Sequence, residues 1–319
     1  MRPLPPTVIA PTAAIVCAVL VVASEAEVHG APLPVHQSGP QATAQPMGVE
    51  VAPEAPPGAS SATLSGLDVR VGQATQDASK SGATISMVLH DRFTEQTVSN
   101  GNSTPLAIAS VAKLFIADDL LMQDAKGINP LSVDDRQALD SMLRSSDDDA
   151  AERFWSRGGG EAVVTRVAAR YGLTSTGPPY DGHWWNTVST AADLVRYYDM
   201  LLDGTGGLPP ERVGIMINDL AQSTPQGVDG YPQRFGIPEG LYAEQVAVKQ
   251  GWMCCIGDDW MHLSTGVIGV DRRYIMVIGS QQTTDDATAR STITQAVKTL
   301  FPGGRVSQIP VGTREPAGD

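Results

Sequence analysis

The stretch Ile108-Ala109-Ser110-Val111-Ala112-Lys113-Leu114-Phe115-Ile116 carries a hydroxyl and an amine three residues apart inside an otherwise apolar run. Pro105-Leu106 leads into it, and the spacing of Val111, Leu114, Phe115 and Leu121 predicts a helix beginning close to Ser110. Residues i and i+3 share a helix face, so Ser110 and Lys113 are expected to meet. A serine hydroxyl is a weak nucleophile until a base takes its proton. A lysine is that base only where desolvation or a neighbouring cation favours its neutral form. A helix start at Ser110 also brings backbone N–H groups and the positive dipole end towards any oxyanion formed there. The spacing alone is weak, because a serine that merely caps the helix produces it equally well.

Outward from this stretch, a first helix is expected over about 64–78, a strand over 84–89 and a second strand over 96–99, closed by Asn100-Gly101-Asn102. Helices are expected over about 132–143, 147–157, 160–170, 190–203 and 209–220. Strands then resume over 243–248, 263–270 and 274–279, and a closing helix covers 286–300. The order implies an α/β fold: an antiparallel sheet built from both ends of the chain, flanking helices, and an all-helical lobe over about 130–222 inserted in it. A cleft is expected between the two.

The chain has 319 residues, 42% of them hydrophobic, enough for a substantial core. Its 22 basic and 35 acidic residues leave a net charge of −13, which argues against nucleic acid as a partner. Lysines are few, at positions 80, 113, 126, 249 and 298, and Lys113 and Lys249 fall in apolar surroundings where an unpaired ammonium loses its hydration. His29, His36, His90, His183 and His262 show no ligand spacing, so neither a metal nor a cofactor is expected. Cys254 and Cys255 are adjacent, and either a vicinal disulfide or two free thiols fits them.

At the N-terminus an apolar stretch over 8–23 reads as an export signal within residues 1–30, cut after Ala23 or Ala26, with an uncleaved anchor as the alternative. Cys17 fits lipid attachment poorly, because Ile15-Val16 precede it. Residues 31–63 are rich in Pro, Ala, Gln and Ser and read as a disordered tether, the folded domain as 64–302, and 303–319 as a flexible tail. An exported monomer of the cell envelope, a periplasm-like space or the extracellular medium follows. Membrane contact is expected only through a retained N-terminal segment.

Two further stretches keep company with the first. Ser146-Asp147-Asp148 stands between two predicted helices, where acidic first-turn residues are also ordinary capping, and Lys249-Gln250-Gly251 ends a predicted strand. Three such stretches in this order are much harder to obtain by chance than any one. Together they resemble the penicillin-recognising serine hydrolases, in the branch that holds class A β-lactamases and related mycobacterial lipoproteins, over roughly residues 64–301. Ser110-Val111-Ala112-Lys113 matches the family's Ser-x-x-Lys, Ser146-Asp147-Asp148 its Ser-Asp-Asn, and Lys249-Gln250-Gly251 its Lys-Thr-Gly. The resemblance implies that Ser110 is acylated, Lys113 deprotonates it, Ser146 relays a proton to the leaving group, and Lys249 tunes the site. It also implies an oxyanion hole made by the N–H groups of Ser110 and Trp252.

The departures from the family are specific. Asp148 replaces an asparagine and adds an anion that works against a neutral Lys113. Gln250 replaces the threonine that helps bind a substrate carboxylate, Trp252 is a large side chain beside the oxyanion hole, and no arginine occurs between Gly251 and Val270. The deacylating glutamate of class A enzymes has no clear match in Pro178-Pro179-Tyr180-Asp181-Gly182-His183-Trp184-Trp185-Asn186, where Asp181 is the acidic candidate. Three readings stay open: an envelope hydrolase or acyl-transferase-like enzyme acting on an amide or peptide through acyl-Ser110, a weak β-lactamase, and a degenerate domain that binds a peptidoglycan or protein partner. A peptidoglycan peptide or a β-lactam is the ligand these imply.

Overall fold

The structure is a computed structural model that describes Leu64 and residues 66–306. The expected leader with Cys17, the tether and the segment beyond 306 lie outside the described residues. In chain order the elements are α1 (Leu67–Lys80), β1 (Ala83–Asp91), β2 (Gln96–Ser99), β3 (Leu106–Ala107), a 3-10 turn (Ala109–Ala112) and α2 (Lys113–Ala125). Next come α3 (Val133–Arg144), α4 (Asp148–Gly158), α5 (Ala162–Tyr171), a second 3-10 turn (Trp184–Asn186), β4 (Val188–Ser189), α6 (Ala191–Asp203) and α7 (Pro210–Ala221). The chain closes with α8 (Ile237–Gly240), β5 (Val246–Ile256), β6 (Asp259–Ile268), β7 (Tyr274–Gln282) and α9 (Asp286–Leu300).

The main sheet runs β2-β1-β7-β6-β5, antiparallel throughout. Strand side chains alternate between faces. Met87, Leu89, Met276 and Ile278 therefore join α1 and α9 in one core, whereas Val88, Ile275, Val277 and Leu263 join α2 and the helical lobe in the other. The same alternation on β5 sends Val248 to the first core and Ala247 to the second. Side-chain caps start the helices where the sequence supplies them: Ser132 for α3 in a capping box with Asp135, Asp147 for α4, Thr190 for α6 and Asp285 for α9.

Helix α2 is buried from Lys113 to Met122 and packs against α3, α4, α5 and α7. Two of its acids are held from α5, Asp118 by Arg170 and Asp119 by Arg166. Tyr171 and Tyr197 also donate to Asp118, whose carboxyl is raised by burial in spite of Arg170. Such paired charges in a core fix the helix in one position, since unpairing either leaves an uncompensated charge.

Four points differ from the sequence reading. The turn at Ser110 is 3-10 rather than α-helical, because α2 itself begins only at Lys113. β5 continues eight residues further than its apolar run, to Ile256, since its paired edge on β6 holds Lys249 to Met253 in the ladder. The stretch 130–222 is not purely helical, because Val188-Ser189 pair with Leu106-Ala107. Residues 303–306 are packed rather than frayed: Val306 is buried and its N–H donates to Glu244, and Gly304 accepts from Ala243 N–H.

Candidate active site

Ser110 sits in the 3-10 turn directly before α2, and its neighbour Ala109 has φ +45°. Ser146, in the short link between α3 and α4, has φ +56°. Non-glycine residues seldom adopt this left-handed region, and both instances flank the same cluster of polar atoms. The conformation of Ser146 aims its carbonyl and its hydroxyl at one ammonium: Lys113 Nζ lies 2.7 Å from Ser146 O and 3.1 Å from Ser146 Oγ. Lys113 Nζ also lies 2.9 Å from Ser110 Oγ and 2.5 Å from Asp148 Oδ1.

Lys249 reaches the cluster from β5. Its Nζ donates to Ser146 Oγ at 2.8 Å and to the carbonyl of Gln250 at 3.2 Å. Ser146 Oγ thus bridges the two lysines. Gly251, two residues on along the same face, lies against the nucleophile turn: a Cβ there would stand 2.7 Å from the carbonyl oxygen of Ile108. Only glycine lets β5 approach the turn that carries Ser110 this closely.

Both lysines are fully buried, and burial dominates their titration. Lys113 is lowered from the ordinary lysine range by desolvation, with Asp148 opposing, and then Asp147 and Asp229. Lys249 is pushed well below that range by burial and next by Lys113. Asp148 acts in the direction expected of it, favouring the charged form of Lys113 against burial, and 68% of its side chain is exposed, so water weakens its hold. The donor geometry serves both charge states. A neutral Lys113 has two N–H bonds for the two acceptor-only partners, Ser146 O and Asp148, and one lone pair for the Ser110 proton.

The remaining expected residues are placed differently. Gln250 and Trp252 lie on the opposite face of β5 from Lys249 and Gly251, with Val248 and the α9 core. Gln250 Nε2 donates to the carbonyls of Gln233 and Phe235, so its side chain does not face a substrate. Trp252 stacks on Tyr231 with ring centroids 4.4 Å apart and 8° between planes, which turns its indole to the face of β5 opposite Lys249 and Gly251. Asp181 is exposed and accepts from His183 N–H and the Asn186 amide, and it makes no contact with the lysines among the described residues.

Two residues were missed. Trp184 is buried with its ring 4.7 Å from Lys113 Nζ, so the side chain that the 178–186 stretch turns to the lysine is an indole rather than a carboxylate. Asp229 stands in the loop before α8, exposed, and its charge acts on both lysines. Trp184 was legible as an aromatic in the stretch already singled out. Asp229 has no local signal, because the loop that carries it is placed by distant contacts, Gln233 Nε2 with Arg144 O and Tyr231 with α9.

No protein-family model matches the chain. Proteins named "Putative lipoprotein LppW" from Mycobacterium bovis and Mycobacterium tuberculosis are 67% identical over 254 residues, which span 80% of this chain and 81% of theirs. The chain belongs to the LppW family. The fold of this LppW-family chain is that of class A β-lactamases. A β-lactamase from Chitinophaga pinensis superposes with a TM-score of 0.60 at 13% identity, covering 74% of this chain and all of that one. The TLA-3 extended-spectrum β-lactamase gives 0.60 at 12% over 74% and 98%, and a class A representative from Bacteroides cellulosilyticus 0.59 at 13% over 74% and 97%.

Proposed function

We propose that this LppW-family protein is an acyl-serine enzyme of the cell envelope that cleaves or transfers an amide or peptide through Ser110 and releases the acyl group slowly. The observation that supports it is the 2.9 Å approach of a fully buried, titration-lowered Lys113 to Ser110 Oγ. Ser110 Oγ attacks the carbonyl carbon and its proton passes to Lys113 Nζ. The N–H groups of Ser110 and Trp252 take the oxyanion. The proton then returns through Ser146 Oγ, held between both lysines, to the departing amine as the C–N bond breaks. Water attack on the resulting ester needs a base of its own, and Trp184 lies over Lys113 where a carboxylate would serve.

The LppW relatives' name supports an envelope location. It favours Cys17, the sole cysteine of the N-terminal segment, as a lipid attachment point, against the sequence reading above. A monomer that meets a peptidoglycan peptide fits this placement.

Labelling with a fluorophosphonate tests the chemistry: one adduct per chain is expected, on Ser110, and absent from Ser110→Ala. An adduct that survives in Ser110→Ala places the nucleophile elsewhere. A second reading, a noncatalytic binding domain, is favoured by the Asp148 contact with Lys113, and an unlabelled Ser110 in a folded protein supports it.

A further inference from the structure

Helix α3 ends, as helices do, with carbonyls that no N–H of its own can reach. Residues 224–233 supply donors for two of them. Arg144 O accepts from Thr224 N–H at 3.0 Å, Thr224 Oγ1 at 3.1 Å and Gln233 Nε2 at 3.0 Å, and Ser145 O accepts from Val228 N–H at 2.8 Å. The next residue is Ser146, with its φ of +56°. A serine keeps that left-handed conformation where its surroundings fix it.

Gln233 makes this connection from inside the protein. It is 2% exposed, and its Nε2 also donates to Thr224 O at 3.0 Å and to Thr224 Oγ1 at 3.1 Å. The two carbonyl oxygens at this terminus accept and cannot donate, which requires the NH2 end of the amide there. Its main chain extends the connection: the N–H donates to Pro225 O at 2.8 Å, and the carbonyl accepts from Gln250 Nε2 at 3.1 Å. Gln250 follows Lys249 on β5. One buried residue thus ties the end of α3 to the strand that carries Lys249. Ser146 Oγ stands across that span, 3.1 Å from Lys113 Nζ and 2.8 Å from Lys249 Nζ.

We infer that Gln233 is a positioning residue, which holds the turn through Ser146 against β5 so that Ser146 Oγ stays between the two lysines. This rests on the acyl-serine reading, in which Ser146 returns a proton to a departing amine. With either kind of reagent Ser110 Oγ attacks and its proton goes to Lys113. Fluoride then leaves phosphorus as the anion and needs no proton. The nitrogen of an amide or β-lactam takes one from Ser146 Oγ, which regains it from Lys113, as the C–N bond breaks.

The test compares two probes on the same variants. Gln233→Met keeps the length of the side chain and removes its donors. The ratio of β-lactam acylation to fluorophosphonate labelling at Ser110 is expected to fall at least about tenfold in Gln233→Met, as in Ser146→Ala, and no further when the two are combined. Equal losses with both probes, in step with a lowered melting temperature, would mean that Gln233 serves the fold alone and overturn the inference. Losses that multiply in the combined variant would overturn it too, because Gln233 would then act apart from Ser146. If a probe fails on wild-type Ser110, that failure bears on the acyl-serine reading, and amide hydrogen exchange decides the positioning by itself. Ser145, Asp147 and Val228 are expected to exchange at least about tenfold faster in Gln233→Met while α9 keeps its rates; an even acceleration throughout, or none, overturns the inference.

Discussion

Burial takes Lys113 below the ordinary lysine range, and Asp148 pulls it back. The sign of their contest is measurable. A lowered pKa means that the neutral, proton-accepting form is reached at a lower pH than in a free lysine, so Ser110 labelling should rise with pH along a limb that lies below the free-lysine range. Asp148→Asn removes an anion that stabilises the ammonium. The limb should move to lower pH, and labelling at pH 7 should rise, by up to about tenfold per unit moved. A limb that stays or moves up means that Asp148 does not face Lys113 in solution. Gly251 gives a second residue-scale expectation. Gly251→Ala puts a methyl 2.7 Å from the Ile108 carbonyl, at a backbone contact with no flexible atom to yield. Overpacking of this kind costs about 1 to 3 kcal/mol, and labelling should fall by more than tenfold as β5 withdraws from Ser110. An unchanged rate, read beside the melting temperature, means that the close approach is not needed.

Most elements were legible because apolar periodicity and caps sit together, as at Ser132 with α3, or Asp285 with α9. The end of β5 was not, since Lys249, Gln250, Gly251 and the two cysteines have no strand period and are held by pairing with β6. Likewise, which face Gln250 and Trp252 take depends on register, which the sequence states only through neighbours such as Val248. Trp252 is held by a polar hub that joins three elements: Tyr231 bonds His262 of β6 and Asp286 of α9, and Arg290 bonds both Tyr231 and Asp286. His262 is fully buried and lowered to about 4 by desolvation, and among the described residues its Nδ1 has no hydrogen-bond partner to accept a second proton. The unfolded chain takes up that proton at about pH 6.5, the folded chain only near 4. Stability contributed here is complete above 6.5 and falls as pH drops to 4, by about 3 kcal/mol. Melting temperature against pH should show this slope in the wild type and lose it in His262→Gln. Parallel curves would remove His262 from the account.

Across the whole molecule, the chain joins its two ends in one sheet and sets the helical lobe on the sheet's other face, so three short sequences far apart in number meet at Lys113. Their order made the fold legible. The outcome of the chemistry was not, because it depends on Trp184 facing the lysine and on Asp181 facing away, and both are set by the path of the 178–186 loop. Whole-chain behaviour therefore tests the site best. Intact mass spectrometry of the protein, followed for hours after a brief exposure to a reactive β-lactam or fluorophosphonate, reads acylation and release together. One persistent adduct is expected, absent in Ser110→Ala and formed at least about a hundredfold more slowly in Lys113→Ala, the usual scale of a lost general base. Rapid loss of the β-lactam adduct with turnover would reveal a deacylating base and contradict the role given to Trp184, and undiminished labelling of Lys113→Ala would contradict Lys113 as the base.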